Sequence, residues 1–218
     1  MSREDRDLPT AAGEAVPEGY LQRRVWALVS QLRGKGILSQ EDMQEALEGL
    51  DSESSALGAR VVARAWTDSG FKARLLSDAS AALEEFGVET GVVRFAALEN
   101  TEDVHHLVVC TLCSCYPRAI LGRPPTWYKS LEYRSRGVAD PRGVLREFGL
   151  ELSPDVEVRV YDSTADLRYF VIPQRPAGTR GMSEEELAAL VTRDSMIGTG
   201  RPREPGGRRA GPAGTLQP

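Results

Sequence analysis

All three cysteines of this 218-residue chain fall within six positions, Cys110, Cys113 and Cys115, in the segment VVCTLCSCYPR. That clustering excludes a disulfide framework, which needs cysteines spread along the chain so that each bridge closes a loop. A bridge between Cys113 and Cys115 would pass through a single intervening residue and distort the preferred torsion. Burial and hydrogen bonding must therefore hold the fold. The close-set thiols are left for metal binding or catalysis, the usual role of clustered cysteines in a reducing compartment.

The bulk properties narrow the class further. The first twenty residues, MSREDRDLPTAAGEAVPEGY, alternate charges with small residues and contain no apolar core of a signal peptide. No apolar run approaches the roughly 18–20 residues that a membrane span needs. The expectation is a soluble, cytoplasmic protein without a membrane contact. The net charge of −5 offers no overall attraction to nucleic acid. The arginines near the carboxy terminus, Arg201, Arg203, Arg208 and Arg209, read as solvated charge rather than a nucleic-acid surface.

Periodicity organises the rest. Residues 1–18 are polar with scattered proline and glycine and read as a disordered arm. Tyr20, Leu21, Val25, Leu28, Val29 and Leu32 recur at three- and four-residue spacing, which predicts an amphipathic helix ended by Gly34 and Gly36. Ser39 three residues before Asp42 predicts another start, with Met43, Ala46, Leu47 and Leu50 as its apolar face. Two more helices are expected over about 57–67 and 69–86, with Gly87 as the stop. After Gly91 the period changes. Val92 to Leu98, His106 to Cys110, Val156 to Val160 and Tyr169 to Ile172 read as strands. PPTWYKSLEYRSR and DPRGVLREFG between them read as helices, Pro141 lying just inside a helix start. Ser183 with Glu186 forms a capping box before Leu187, Leu190 and Val191. The fold class is thus α+β: a helical amino-terminal region over 19–90, then a layered α/β domain over 91–198 that carries the cysteine loop, with a disordered tail over 199–218.

The cysteine spacing leaves several chemistries open. A closed zinc site wants four nitrogen or sulfur ligands, often from two knuckles, and no second knuckle exists here. A zinc-stabilised, non-catalytic domain would need His105 or His106 as the fourth ligand, yet on a strand the two histidines point to opposite faces. Three buried thiols packed as small hydrophobes are the plainest alternative. It does not explain why every cysteine lies in one short loop. A tight loop could instead turn its sulfurs and its Ser114 and Cys115 amide nitrogens onto one metal. That strongly donating set suits a trivalent transition metal better than zinc, and leaves one position open for Lewis-acid chemistry.

V-C-T-L-C-S-C at 109–115 resembles the metal claw of the nitrile hydratase α subunit and, equally, of the related thiocyanate hydrolase γ subunit. WTDSGFKARLL (66–76), PPTWYKSLEYRSR (124–136), DPRGVLREFG (140–149), RPAGT (175–179) and EEELAALVTRDSMIG (184–198) carry the same likeness, which spans roughly residues 20–198. The resemblance implies that Cys110, Cys113 and Cys115 bind one trivalent metal through sulfur, and Ser114 and Cys115 through backbone nitrogen. It also implies that Cys113 is oxidised to a sulfinic acid and Cys115 to a sulfenic acid, the first two steps of thiol oxidation. Thr111 points to Co(III) rather than Fe(III), since iron members usually carry serine there. In such an enzyme a nitrile becomes the amide, attacked by the Cys115 sulfenate oxygen or by an activated water. Catalysis then involves Cys113 and Cys115, together with a β-type partner subunit that supplies arginines to the oxidised cysteines and an activator chaperone that inserts cobalt. Asp166 and Arg168 resemble a carboxylate and arginine pair that meets the partner; the alternative is an ordinary surface ion pair.

Two departures bear on the substrate. Nitrile hydratases usually carry tryptophan three residues after the last claw cysteine, whereas this chain has Arg118, as thiocyanate hydrolases do. A guanidinium there would attract an anionic substrate such as thiocyanate; the alternative is that it turns to solvent or to a partner carboxylate. Residues 86–95, FGVETGVVRF, also lack the Gln-Gly-Glu stretch that usually precedes the strand leading into the claw.

Overall fold

The computed structural model describes residues 19–39, 55–89 and 91–206. The arm over 1–18, the helix expected across 42–50 and the last residues of the tail lie outside the described residues. The chain divides into two units, Met1–Gly49 and Leu50–Pro218. In the first, the predicted amphipathic stripe forms helix α1 (Tyr20–Gly34).

The second unit opens with α2 (Ala56–Thr67), α3 (Ser69–Ser77) and α4 (Ala79–Glu84). The single helix expected over 69–86 is two helices, because Asp78 adopts an extended backbone and its carboxylate caps α4 at Ala81 N, 3.1 Å away. Asp68 does the same for α3 at Phe71 N, 2.9 Å. Gly87, at φ +74°, ends the helical run as expected.

Four strands follow: β1 (Arg94–Glu99), β2 (Val104–Val109), β3 (Glu157–Asp162) and β4 (Leu167–Ile172). Val92, read as the start of the first strand, is 94% exposed and lies outside it. The strands pair as two parallel ribbons, β1 with β4 and β2 with β3. Parallel neighbours cannot be joined by a hairpin, so each pair needs a crossover. The β2-to-β3 crossover carries α5 (Arg118–Leu121), a 3₁₀ turn (Thr126–Lys129), α6 (Leu131–Ala139) and α7 (Pro141–Glu147). The helix expected across 124–136 breaks at Ser130, whose hydroxyl accepts from Tyr133 N at 3.1 Å and starts α6 afresh. The late helix is likewise split into α8 (Glu184–Ala188), with the expected Ser183–Glu186 capping box, and α9 (Arg193–Ile197), capped by Thr192.

Tight packing positions these pieces. A Cβ on Gly137 of α6 would lie 2.8 Å from Val109 Cγ1, so the glycine lets the helix sit directly on the end of β2. Trp127, Tyr133 and Phe148 stack edge to face beneath it. The packed chain also runs past Gly198, where the sequence reading starts a tail. Thr199 is buried, and Arg203 N donates to Leu190 O at 2.8 Å.

His105 and His106 are both buried, since β2 is covered on both faces. Asn100 serves both rings. Its amide nitrogen donates to His105 Nδ1 at 3.1 Å, and its oxygen accepts from His106 N at 2.8 Å and His106 Nδ1 at 3.1 Å. His105 Nε2 then donates to Gly198 O at 2.7 Å. Burial first, opposed by Gly198 and aided by Arg201, holds His105 below its ordinary value; burial, Arg159 and His105 do so for His106, against Glu157. Both rings therefore stay neutral in the fold while the unfolded chain takes up protons below the ordinary value of 6.5. Their stabilising contribution is complete above that value and is lost as pH falls through the depressed folded values. Denaturant midpoints measured from about pH 7.5 down to about pH 5.5 should fall steadily, and an equal midpoint at both ends would contradict it.

Candidate metal centre

β2 runs out of its ladder at Val109, which pairs with Asp162 at the end of β3. Cys110 follows at once, so the cysteine loop springs from the carboxyl end of a parallel strand pair, a recurrent place for ligand sites in α/β sheets. The loop doubles back. Cys110 is fully buried, Cys115 is 8% exposed, and Thr111 to Ser114 form an exposed rim.

The three sulfurs converge. Cys110 Sγ lies 3.4 Å from Cys113 Sγ, which lies 2.8 Å from Cys115 Sγ, and all three fall within 4.8 Å of one another. These separations are too long for a covalent bond of about 2.05 Å, and the cysteines are free. Hydrogen bonds with Cys115 and then Cys110 hold the Cys113 thiol below its ordinary value, and the backbone N–H groups of Cys115 and Ser114 act in the same direction. The Cys113 N–H donates to Cys110 Sγ at 3.3 Å. Cys115 is pushed up to about 12, by burial first and then by Cys113, with the Arg168 guanidinium working against the rise. Three converging sulfurs make a soft donor set that fits a transition metal. No histidine joins the cluster among the described residues, and both imidazoles are committed to Asn100 and Gly198, so the fourth ligand of a zinc site is missing.

Side chains from elsewhere grip the loop's backbone. Asp162 accepts from Thr111 N at 2.9 Å and from the Thr111 hydroxyl. Arg134 on α6 donates through Nε to Cys110 O at 2.9 Å and through Nη2 to Thr111 O at 2.7 Å. Tyr133 OH donates to Val108 O at 2.7 Å and Tyr128 OH to Cys115 O at 2.9 Å. The sequence singled out none of these four for the loop. Tyr128 is also a fully buried core residue, and Arg134 carries no signal of its own within PPTWYKSLEYRSR.

The remaining candidates fall around the rim. Arg118 begins α5, is exposed, and its amide donates to Tyr116 O at 2.9 Å. Arg168 stands in β4 opposite Phe95, half-buried, close enough to Cys115 to bear on its ionisation, with Nη1 buried and unpartnered among the described residues. Asp166 is exposed in the turn before it, and its carbonyl accepts from Arg94 N at 2.8 Å. Among the described residues no ion pair joins Asp166 to Arg168.

A family model described as nitrile hydratase, alpha chain, matches residues 19–200. The chain belongs to the nitrile hydratase α-chain family. Within that family it is 53% identical to the low-molecular-weight cobalt-containing nitrile hydratase subunit alpha of Rhodococcus rhodochrous, over 84% of this chain and 89% of that one. It is 41% identical to the thiocyanate hydrolase subunit gamma of Thiobacillus thioparus, over 78% of this chain and 74% of that one. Its fold matches a double mutant of the Fe-type nitrile hydratase from Comamonas testosteroni Ni1 with a TM-score of 0.82 at 40% identity, covering 92% of this chain and 99% of that one. The α+β class read from the sequence is therefore that of solved members of the family.

The claw loop's dependence on outside side chains is measurable. Tyr128→Phe leaves the buried Cys115 carbonyl without its donor and should lower unfolding free energy by about 1–3 kcal/mol, read from denaturant titration. An unchanged midpoint would show that the hydroxyl is dispensable.

Proposed function

We propose that this chain is the metal-binding α subunit of a cobalt nitrile hydratase, acting on a nitrile to give the amide. The observation that carries this is the convergence of Cys110, Cys113 and Cys115 within 4.8 Å. Cys110, Cys113 and Cys115 would hold the metal through sulfur, and Ser114 and Cys115 through nitrogen. Thr111 and the cobalt-containing relative support Co(III), one per chain; the Fe-type structural neighbour marks iron as the alternative. When bound, such a metal supplies Lewis acidity toward the substrate.

The chain's own residues divide the remaining work. Cys110 is buried and anchors the loop, while Cys113 sits on the exposed rim and Cys115 on the inner side. Cys113 as a sulfinic acid and Cys115 as a sulfenic acid would each carry oxygen beside the metal, the Cys115 oxygen or a water being the attacking atom. Leu112 is 90% exposed at the tip of the loop, which supports a β-type partner subunit covering the site. Asp166 and Arg168 fit the same interface, and an activator chaperone and a cytoplasmic setting complete the proposal. No helix among the described residues is long and apolar enough to cross a membrane.

Mass spectrometry of the claw peptide from the purified complex, with metal analysis, tests this directly. Two added oxygens on Cys113, one on Cys115 and one cobalt per chain are expected, whereas zinc with unoxidised thiols would overturn the proposal.

Arg118 favours a second reading, a thiocyanate hydrolase γ subunit converting thiocyanate to carbonyl sulfide and ammonia. Arg118 is an exposed residue three positions beyond Cys115, and its positive charge near the loop favours an anionic substrate. On this reading Arg118→Trp weakens thiocyanate turnover and spares or improves neutral nitriles; equal rates on both substrates before and after the change would dismiss the role given to Arg118.

A further inference from the structure

We infer that Arg134 is a positioning residue for the claw: by fixing the backbone of Cys110 and Thr111, it sets how firmly the loop retains its metal. The inference rests on the reading of the loop as a cobalt site.

The guanidinium spans two consecutive carbonyls, Cys110 O at 2.9 Å and Thr111 O at 2.7 Å. Arginine's planar fork suits such a pair, whereas a lysine is a point charge with no fixed geometry across two acceptors. The fork is itself immobilised. Arg134 follows Tyr133, whose buried hydroxyl donates to Val108 O at 2.7 Å, and it precedes Gly137, which presses α6 against Val109. Strand and guanidinium are therefore held in one frame.

The same stretch is gripped from the other side. Asp162 takes Thr111 N at 2.9 Å, so the Cys110–Thr111 peptide is tied at its oxygen by a cation and at its nitrogen by an anion. With that peptide plane fixed, the direction in which Cys110 offers its sulfur is fixed before any metal arrives. A second effect is electrostatic. Three anionic sulfur ligands and two ionised amides would carry more negative charge than a trivalent ion neutralises. The nearby cation offsets the excess without supplying a ligand. Outer groups of this kind orient the atoms that touch the metal and tune its affinity.

The assembled complex should be prepared as wild type, Arg134→Met and Arg134→Lys. Arg136→Met serves as a control on the same helix, removing only the exposed pair with Glu147. Three quantities are read: cobalt retained against a competing chelator, the sulfur-to-cobalt charge-transfer absorption, and the thermal midpoint of the metal-free protein. Arg134→Met should retain cobalt about 10–100-fold less well and shift the absorption band. Arg134→Lys should recover part of both, and Arg136→Met should match wild type. Wild-type retention and an unmoved band in Arg134→Met would overturn the inference. So would a loss in Arg134→Met that Arg136→Met reproduces, or one accompanied by an equal collapse of the thermal midpoint. Wild-type protein that takes up no cobalt overturns the reading of the claw itself, and this inference with it.

Discussion

A loop that gathers three sulfurs at one point leaves backbone carbonyls to be satisfied from outside it, and those of Val108 and Cys115 are buried away from water. This constraint organises the site. Each net hydrogen bond is worth only about 1 kcal/mol, but leaving a buried carbonyl without a donor costs more. The chain answers with donors from one helical segment. Tyr133 serves Val108 O, Arg134 serves Cys110 O and Thr111 O, and Tyr128 serves Cys115 O. Both ends of the cysteine loop are thereby tied to the β2-to-β3 crossover.

That dependence explains why the surrounding packing is so close. The donors work only if α6 lies against β2 at fixed depth, and Gly137 allows it, since any side chain there would collide with Val109. The aromatic stack of Trp127, Tyr133 and Phe148 fixes the segment from below. At the amino-terminal end of the strand the Asn100, His105 and Gly198 network performs a matching service, pinning β2 to the chain after α9. Gly198 is at φ +95°, and a Cβ there would fall 1.9 Å from the His106 carbonyl oxygen, so both its conformation and its space require glycine.

Charge follows the same geometry. Burial resists ionisation of Cys115, while Arg168 eases it and Arg134 lies behind the loop. The sulfur cluster thus sits between fixed cations on its own chain, and its exposed rim faces outward with Leu112 at the tip. Such a half-closed site gains most from a second chain laid over it.

Much of this protein is legible from the residues alone. Six-residue clustering of the cysteines points to a metal loop, because neighbouring thiols need no fold to bring them together. Periodicity places the helices and strands, and the Ser183–Glu186 box needs only local spacing. Capping side chains divide three of the expected helices, at Asp78, Ser130 and Thr192. Ser, Thr and Asp inside a helical pattern read equally as solvated face and as cap, so the choice falls to the backbone. Tertiary structure alone decided which side chains hold the claw. Arg134 is 24 residues from Cys110 and Asp162 is 51 from Thr111. No periodicity links such pairs; they meet because β2 and β3 end together and α6 is laid across that end. The sequence determined what chemistry the loop carries. The parallel pairing and the crossover packing determined the geometry in which that chemistry is held, since a hydrogen bond is specified by direction and distance, which only the folded backbone supplies.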